Sequence, residues 1–221
     1  MKKTVFILIV TAVIGFTLVS WNSSKSSNYE ETYSIRVVEI GNQIWMLENL
    51  NVDRFRNGDR IPQARTREEW ERASRNEQPA WCYYDNDPEN GGEFGKLYNW
   101  YAVNDPRGLA PRGWKIPSNA DWRRLSSNLG GDQIAGHQMK SRSGWDENGN
   151  GTNTSGFAGV PGGYRYPNGQ YSGIGKFAFF WSSTETDTRF ASSRFLDYRG
   201  RRLRSYDHRK DHALSVRCIK N

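Results

Sequence analysis

The chain has 221 residues, 31 Lys and Arg against 24 Asp and Glu, and a formal net charge of +7. At roughly 100–200 residues per domain, this length reads as one domain plus a short leader and leaves room for one sizeable core. Nine Trp, eleven Tyr and ten Phe against few long aliphatic runs predict a core built from rings. A net charge of this size bears on solubility and weak attraction for polyanions, not on fold, and gives no case for a nucleic-acid partner.

Met1-Lys2-Lys3 is followed by an uncharged apolar run from Val5 to Val19, the n-region and h-region of a secretory signal. A membrane span needs about 20 apolar residues, so residues 1–20 read as a signal peptide or N-terminal anchor. Cleavage stays open, because Trp21 interrupts the small-x-small candidates. The first cysteine is Cys82, which argues against a lipoprotein. The reading is therefore export to the periplasm, the outer cell surface or the medium, with membrane contact only through this segment. Residues 21–32, mostly Ser, Asn, Lys and Glu, read as a flexible tether. The folded domain is expected over 33–221.

Within it, Ile35 to Ile40 and Gln43 to Met46 flank the turn signal Gly41-Asn42 and predict a β-hairpin. Thr66-Arg67-Glu68-Glu69 is a capping box that opens a helix from Arg67 to Ser74, with Trp70 and Ala73 inward. A second helix starts after Ser118, with Asp121 at its third position and Trp122, Leu125 and Leu129 on one face, and ends at Gly130-Gly131. From Gly144 onward, closely spaced glycines divide short aromatic segments, so no helix of ordinary length fits. Strands resume at Ala178–Trp181, Ser193–Tyr198, Arg202–Tyr206 and Leu214–Ile219, the last with Leu214, Val216 and Cys218 inward and Ser215 and Arg217 outward. The layout is α+β: short antiparallel sheets, two helices, long glycine-rich loops, and first and last strands free to pair. An even cysteine count in an exported chain predicts one disulfide, Cys82–Cys218, against the alternative of two buried thiols.

Trp81-Cys82-Tyr83-Tyr84-Asp85-Asn86-Asp87, Leu97-Tyr98-Asn99-Trp100-Tyr101-Ala102-Val103, Gly113-Trp114-Lys115-Ile116-Pro117-Ser118 and Ser155-Gly156-Phe157-Ala158-Gly159-Val160-Pro161-Gly162-Gly163-Tyr164-Arg165 occur in that order. With Trp181-Ser182-Ser183-Thr184-Glu185 and Ser215-Val216-Arg217-Cys218, they resemble the Fibrobacter succinogenes major paralogous domain from about Val38 to Asn221. That family looks related to the C-type-lectin-like and formylglycine-generating-enzyme group, with Pro117-Ser118-Asn119-Ala120-Asp121-Trp122 in place of its Pro-Thr-x-Ala-Glu-Trp helix. The resemblance implies a C-type-lectin-like fold and little about activity. The oxidase relatives need two closely spaced cysteines near the C-terminal end, and only Cys218 stands there.

Asp146-Glu147-Asn148-Gly149-Asn150-Gly151 matches the first half of a calcium loop, making Asp146, Asn148 and Asn150 candidate ligands. Phe157 replaces the closing Glu of an EF-hand, and the alternative is that Asp, Asn and Gly build turns. Asp85 to Gly91 is a second loop of this kind. Asp207-His208 and Asp211-His212 repeat at a spacing of four, which on a helix suits zinc, but Arg209 and Lys210 oppose a cation and a turn is expected there. His137 reads as a surface or packing residue.

Arg199, Arg201, Arg202, Arg204, Arg209 and Lys210 concentrate positive charge. Arg202 and Arg204 are candidates to grip carboxylate or phosphate, against the alternative of edge charges that block sheet-to-sheet pairing. Trp45, Trp100, Trp114, Trp122 and Trp181 read as core, whereas Trp145, Tyr164, Tyr166 and Tyr171 in the glycine-rich loops are candidates to stack on a sugar. Motifs for a nucleophile elbow, a phosphate loop or a zinc protease are absent from the sequence. The function read from sequence is an exported envelope module that binds glycan or a partner protein, with its ligand surface over the loops from 144 to 173. The alternative is a hydrolase of polysaccharide with paired carboxylates.

Overall fold

In the computed structural model, which describes residues 35–221, β1 (Val37–Ile40) and β2 (Gln43–Met46) form the expected hairpin. The expected leader at 1–20 and tether at 21–32 lie outside the described residues. Gly41 turns the chain at φ +62° against the side chain of Asn128, where a Cβ has neither a relaxed backbone nor space. Helix α1 (Arg67–Arg75) follows the capping box: Thr66 Oγ1 accepts the Glu69 N–H, and the Glu69 carboxylate accepts the Thr66 N–H. Strand β3 (Trp81–Cys82), helix α2 (Asn90–Phe94), strand β4 (Leu97–Tyr98), helix α3 (Trp100–Val103) and strand β5 (Trp114–Lys115) come next. Helix α4 (Asn119–Asn128) repeats the capping logic with Ser118 and Asp121 and buries Trp122 and Leu125. Helix α5 (Asp132–Met139) completes the helical half.

The expected two helices thus become five among the described residues. Helices α2 and α3 are too short to show a period, and α2 contains two glycines that read as a loop. Among the described residues no helix is long and apolar enough to cross a membrane.

The second half holds β6 (Gly162–Arg165), β7 (Tyr171–Ile174), β8 (Phe177–Glu185), β9 (Phe190–Asp197), β10 (Arg204–Arg209) and β11 (Ile219–Lys220). One sheet has the order β1-β2-β11-β5, so Ile219 near the end of the chain pairs with Trp45 near its beginning. A larger sheet has the order β10-β9-β8-β6-β7. It is antiparallel except between β6 and β8, which run parallel where Gly163 meets Ala178. The strand expected at Arg202 starts at Arg204 instead, because the Leu203 N–H is taken by the Asp132 carbonyl of α5.

The segment Leu214–Ile219 differs most from expectation. Its backbone bridges Leu214 to Tyr98, Ser215 to Phe180 and Ile219 to both Trp45 and Lys115, so it runs between neighbours on every side. Ser215 and Arg217, expected outward, are buried at 3% and 0% exposure. The Arg217 guanidinium donates twice to Asn49 Oδ1 (3.0 and 2.7 Å) and to the carbonyls of Met46, Leu47 and Phe157. It also stacks 4.6 Å from the Phe157 ring. Burial lowers its pKa from the usual arginine value, while the Glu48 charge opposes that shift. One side chain so ties β2, the Asn49 loop and the Phe157 loop to the C-terminal segment.

The expected aromatic core forms, with Trp45, Trp100, Trp114, Trp122 and Trp181 all buried. The Cys82–Cys218 bridge does not. Both are buried free thiols, because Cys82 lies opposite Leu97 in the cluster around Trp70, whereas the Cys218 carbonyl accepts the Met46 N–H in another cluster. Burial raises both thiol pKa values, that of Cys218 to about 12.

Replacing Arg217 by Met keeps the bulk and removes every donor, leaving three carbonyls and Asn49 Oδ1 buried without these partners. Urea denaturation of Arg217→Met is expected to show a loss of about 3–5 kcal/mol. A loss below about 1 kcal/mol would contradict the role assigned to this residue.

Candidate functional site

Residues directly opposite in neighbouring antiparallel strands share a face. Phe179 lies opposite Phe195 and Trp181 opposite Ser193, while Phe195, Ser193 and Ala191 lie opposite Arg204, Tyr206 and His208. Alternation therefore places Phe177, Phe179 and Trp181 of β8, Phe195 of β9, and Arg204, Tyr206 and His208 of β10 on one face. Tyr164 of β6 joins them with its ring 5.1 Å from Phe179.

These rings form a continuous surface. Phe177 and Phe195 lie 5.6 and 5.0 Å from Phe179, and Tyr164 lies 4.9 Å from Tyr166. Tyr166 continues to His212 at 5.8 Å, His212 to His208 at 5.0 Å, and His208 to Tyr206 at 4.7 Å. Trp181, Phe179 and His208 form the buried floor. Phe177, Phe195, Tyr164 and His212 are half-buried, and Tyr166 and Tyr206 are exposed, Tyr206 at 57%. The Arg204 guanidinium lies 5.9 Å from the Phe195 ring and has no carboxylate partner among the described residues. A shallow cleft of about 520 Å³, lined by Thr186, Asp187, Phe190, Ser205 and Asp207, begins on the other side of Tyr206.

Hydrogen bonds fix the two imidazoles. The Ser193 hydroxyl gives its proton to the Tyr206 carbonyl, so it accepts from His208 Nδ1 at 3.0 Å. His212 Nδ1 donates to the Arg209 carbonyl at 3.3 Å. Burial lowers both pKa values, that of His208 to about 3, and both rings are neutral at neutral pH. The face thus offers aromatic surface, neutral imidazoles, phenol hydroxyls and one guanidinium, a set suited to stacking and hydrogen bonding.

Of the residues singled out from sequence, Tyr164, Tyr166 and Arg204 meet on this face. Tyr171 does not: it packs 5.3 Å from Tyr84 under the Arg165 guanidinium, and its hydroxyl donates to Asn86. Arg202 precedes β10, where its carbonyl abuts Gly136 of α5, and so does not share a strand face with Arg204. Trp145 is 5% exposed and donates to Ser141 Oγ, which removes it from the stacking surface. The sequence reading missed Phe177, Phe195 and Tyr206, although Phe177-x-Phe179-x-Trp181 and Tyr206-x-His208 show the two-residue period of ring-bearing strands.

The expected calcium loop has another organiser. Lys140 is 2% exposed, and its ammonium donates to the carbonyls of Gly149 (2.5 Å), Asp197 (3.0 Å) and Gly200 (3.0 Å), with Tyr198 O at 3.5 Å. The Trp145 ring lies 5.1 Å away. Asn150 Oδ1 accepts the Trp145 N–H, and Asp146 and Asn148 sit exposed in a single 3₁₀ turn. Of this loop only the Gly149 carbonyl meets Lys140, its other acceptors being the carbonyls of Asp197, Tyr198 and Gly200, and among the described residues no group of three His, Cys, Asp or Glu is placed to hold a metal. In the loop at Asp85, Asp87 Oδ1 likewise caps the Glu89 N–H and Asn86 donates to the Arg65 carbonyl. Half of the basic cluster is also paired: Arg199 with Glu147, Arg209 with Asp211 and Lys210 with Glu185.

The family description that matches this chain is the Fibrobacter succinogenes major domain, over residues 38–220. Comparison with curated proteins and with solved structures gives no significant match.

Lys140→Met leaves a ring of buried carbonyls without their donor. Thermal and urea melts are expected to show a loss of about 2–4 kcal/mol, while calcium and EDTA leave the melting of the unmodified protein unchanged. A calcium-dependent rise in melting temperature would overturn the assignment of the loop to Lys140.

Proposed function

The chain belongs to the Fibrobacter succinogenes major domain family, and we propose that it is an exported envelope module that binds glycan on the aromatic face of its larger sheet. The observation that carries this reading is the run of half-buried and exposed rings from Phe177 and Phe195 through Tyr164 and Tyr166 to Tyr206. Sugar rings present flat apolar C–H faces between hydroxyls, and such ligands suit rigid aromatic surface bordered by a few polar groups. Held on paired strands, these rings are already ordered, so little side-chain entropy is lost on binding.

Arg204 at the rim adds a planar donor fork, which favours sugars that carry a carboxylate. The apolar run after Met1 to Lys3 supports delivery to the envelope, where such polymers occur. A lectin-like fold is part of the same proposal, supported by the paired first hairpin and last strand and by the Pro117-Ser118 helix start. The ligand surface is a sheet face in this reading, because the 144–161 loop is drawn inward by Trp145, Phe157 and Lys140.

Screening residues 33–221 on a glycan array, with Tyr206→Ala and Phe195→Ala beside the unmodified protein, tests the proposal. Retention of one glycan class is expected, with affinity lowered about tenfold by each substitution, or about 1.4 kcal/mol. Circular dichroism should be unchanged for Tyr206→Ala, whose side chain is largely in solvent. Binding that both substitutions leave intact, or no binding to any glycan, would remove the aromatic face as a glycan site.

A further inference from the structure

We propose that His208 and His212 form a two-histidine site for a borderline divalent transition-metal ion, at the end of the aromatic face where β10 turns into the C-terminal segment. The inference rests on different atoms from the glycan reading and holds with or without it.

Three observations carry it. The first is separation: the two ring centroids lie 5.0 Å apart. Two imidazoles bound to one ion, each nitrogen about 2.0–2.1 Å from it at angles near tetrahedral, hold their ring centres roughly 4.5–5.5 Å apart. The second is the tautomer. His208 Nδ1 donates to Ser193 Oγ and His212 Nδ1 donates to the Arg209 carbonyl, so in each neutral ring the proton sits on Nδ1 and the lone pair on Nε2. Neither Nε2 has a hydrogen-bond partner among the described residues. Ligating histidines are prepared in this way, with the second nitrogen donating to an oxygen that fixes the ring and raises its basicity.

The third observation concerns charge. Arg209 and Lys210 stand between the two histidines in sequence and would repel a cation if they faced it. Arg209 is instead held by the Asp211 carboxylate through two hydrogen bonds, at 3.1 and 2.6 Å, and Lys210 is bound by Glu185 and by the Thr188 carbonyl. The spacing of four that would suit a helix is met here by a strand end and a turn, since the His212 N–H donates back to the Arg209 carbonyl and returns that ring toward His208. The half-buried position of His212 leaves an approach from solvent.

Imidazole ligands select copper, nickel and zinc over magnesium and calcium, and a site of two imidazoles follows the order in which copper(II) binds more tightly than zinc(II). The chain has three histidines, and His137 lies on α5, away from the pair. The test is titration of the full chain with copper(II) sulfate and zinc(II) sulfate by calorimetry. Histidine proton resonances followed by NMR give a second readout.

One ion per chain is expected, tighter for copper than for zinc, with broadening of two histidine signals and not the third. His212→Gln, which keeps a polar side chain at this half-buried position, should lower affinity more than about tenfold, whereas His137→Gln should leave it unchanged. Failure of the unmodified protein to bind either ion would overturn the proposal. So would binding that survives His212→Gln, or binding lost in His137→Gln.

Discussion

A charged group with no access to water must have its solvation rebuilt by protein, and in this fold the group is Arg217. Its donors are met by one side-chain oxygen and three carbonyls from segments distant in sequence, and none of these is a carboxylate. An ion pair would tie two side chains together; a guanidinium satisfied by carbonyls fixes the path of the backbone itself. Met46 ends the first hairpin, Leu47 and Asn49 lie just beyond it, and Phe157 sits in the glycine-rich half. The position of that half against the hairpin therefore depends on these bonds, and so does the seating of Trp45 and Trp122 against Phe157.

Lys140 applies the same principle at a smaller scale. A buried ammonium surrounded by carbonyls holds together a loop with Asp, Asn and Gly composition, as a metal ion does elsewhere. The lysine pKa is lowered by burial, with the Asp197 charge acting the other way. Arg217, Lys140 and Arg165, all buried and all bound by carbonyls, hold distant segments together, and both cysteines are left as packing residues.

Much of the frame was legible in the sequence because its signals are local. The Thr66 and Ser118 capping boxes, the Gly41-Asn42 turn and the ring-rich β8 each announce themselves within a few residues. The sites were not, for reasons that can be named. Trp145 and Tyr171 sit among glycines and read as exposed, but burial is decided by Lys140 and Arg165, which approach them from other parts of the chain. Arg217 reads as the outward member of an alternating strand, yet the segment has neighbours on both faces, and alternation then carries no information about burial. Tyr206 and His208 lie inside a basic run whose charges mask the period-two pattern beneath them. The pairing of His208 with His212 was visible as a spacing, but a spacing of four means proximity only on a helix unless a turn brings the chain back.

The pairing of Ile219 with Trp45 has a consequence for how the molecule comes into being. A polypeptide made or threaded from its N-terminal end has its first hairpin available early, but the strand that completes the sheet and the arginine that fixes the loops arrive last. Closure of so long a loop is slow relative to local structure. Until residues 217–219 emerge, the nascent chain has hairpins and helix starts but not its central partner. The sheet order thus makes closure of this fold an event of the whole chain and not of its first half.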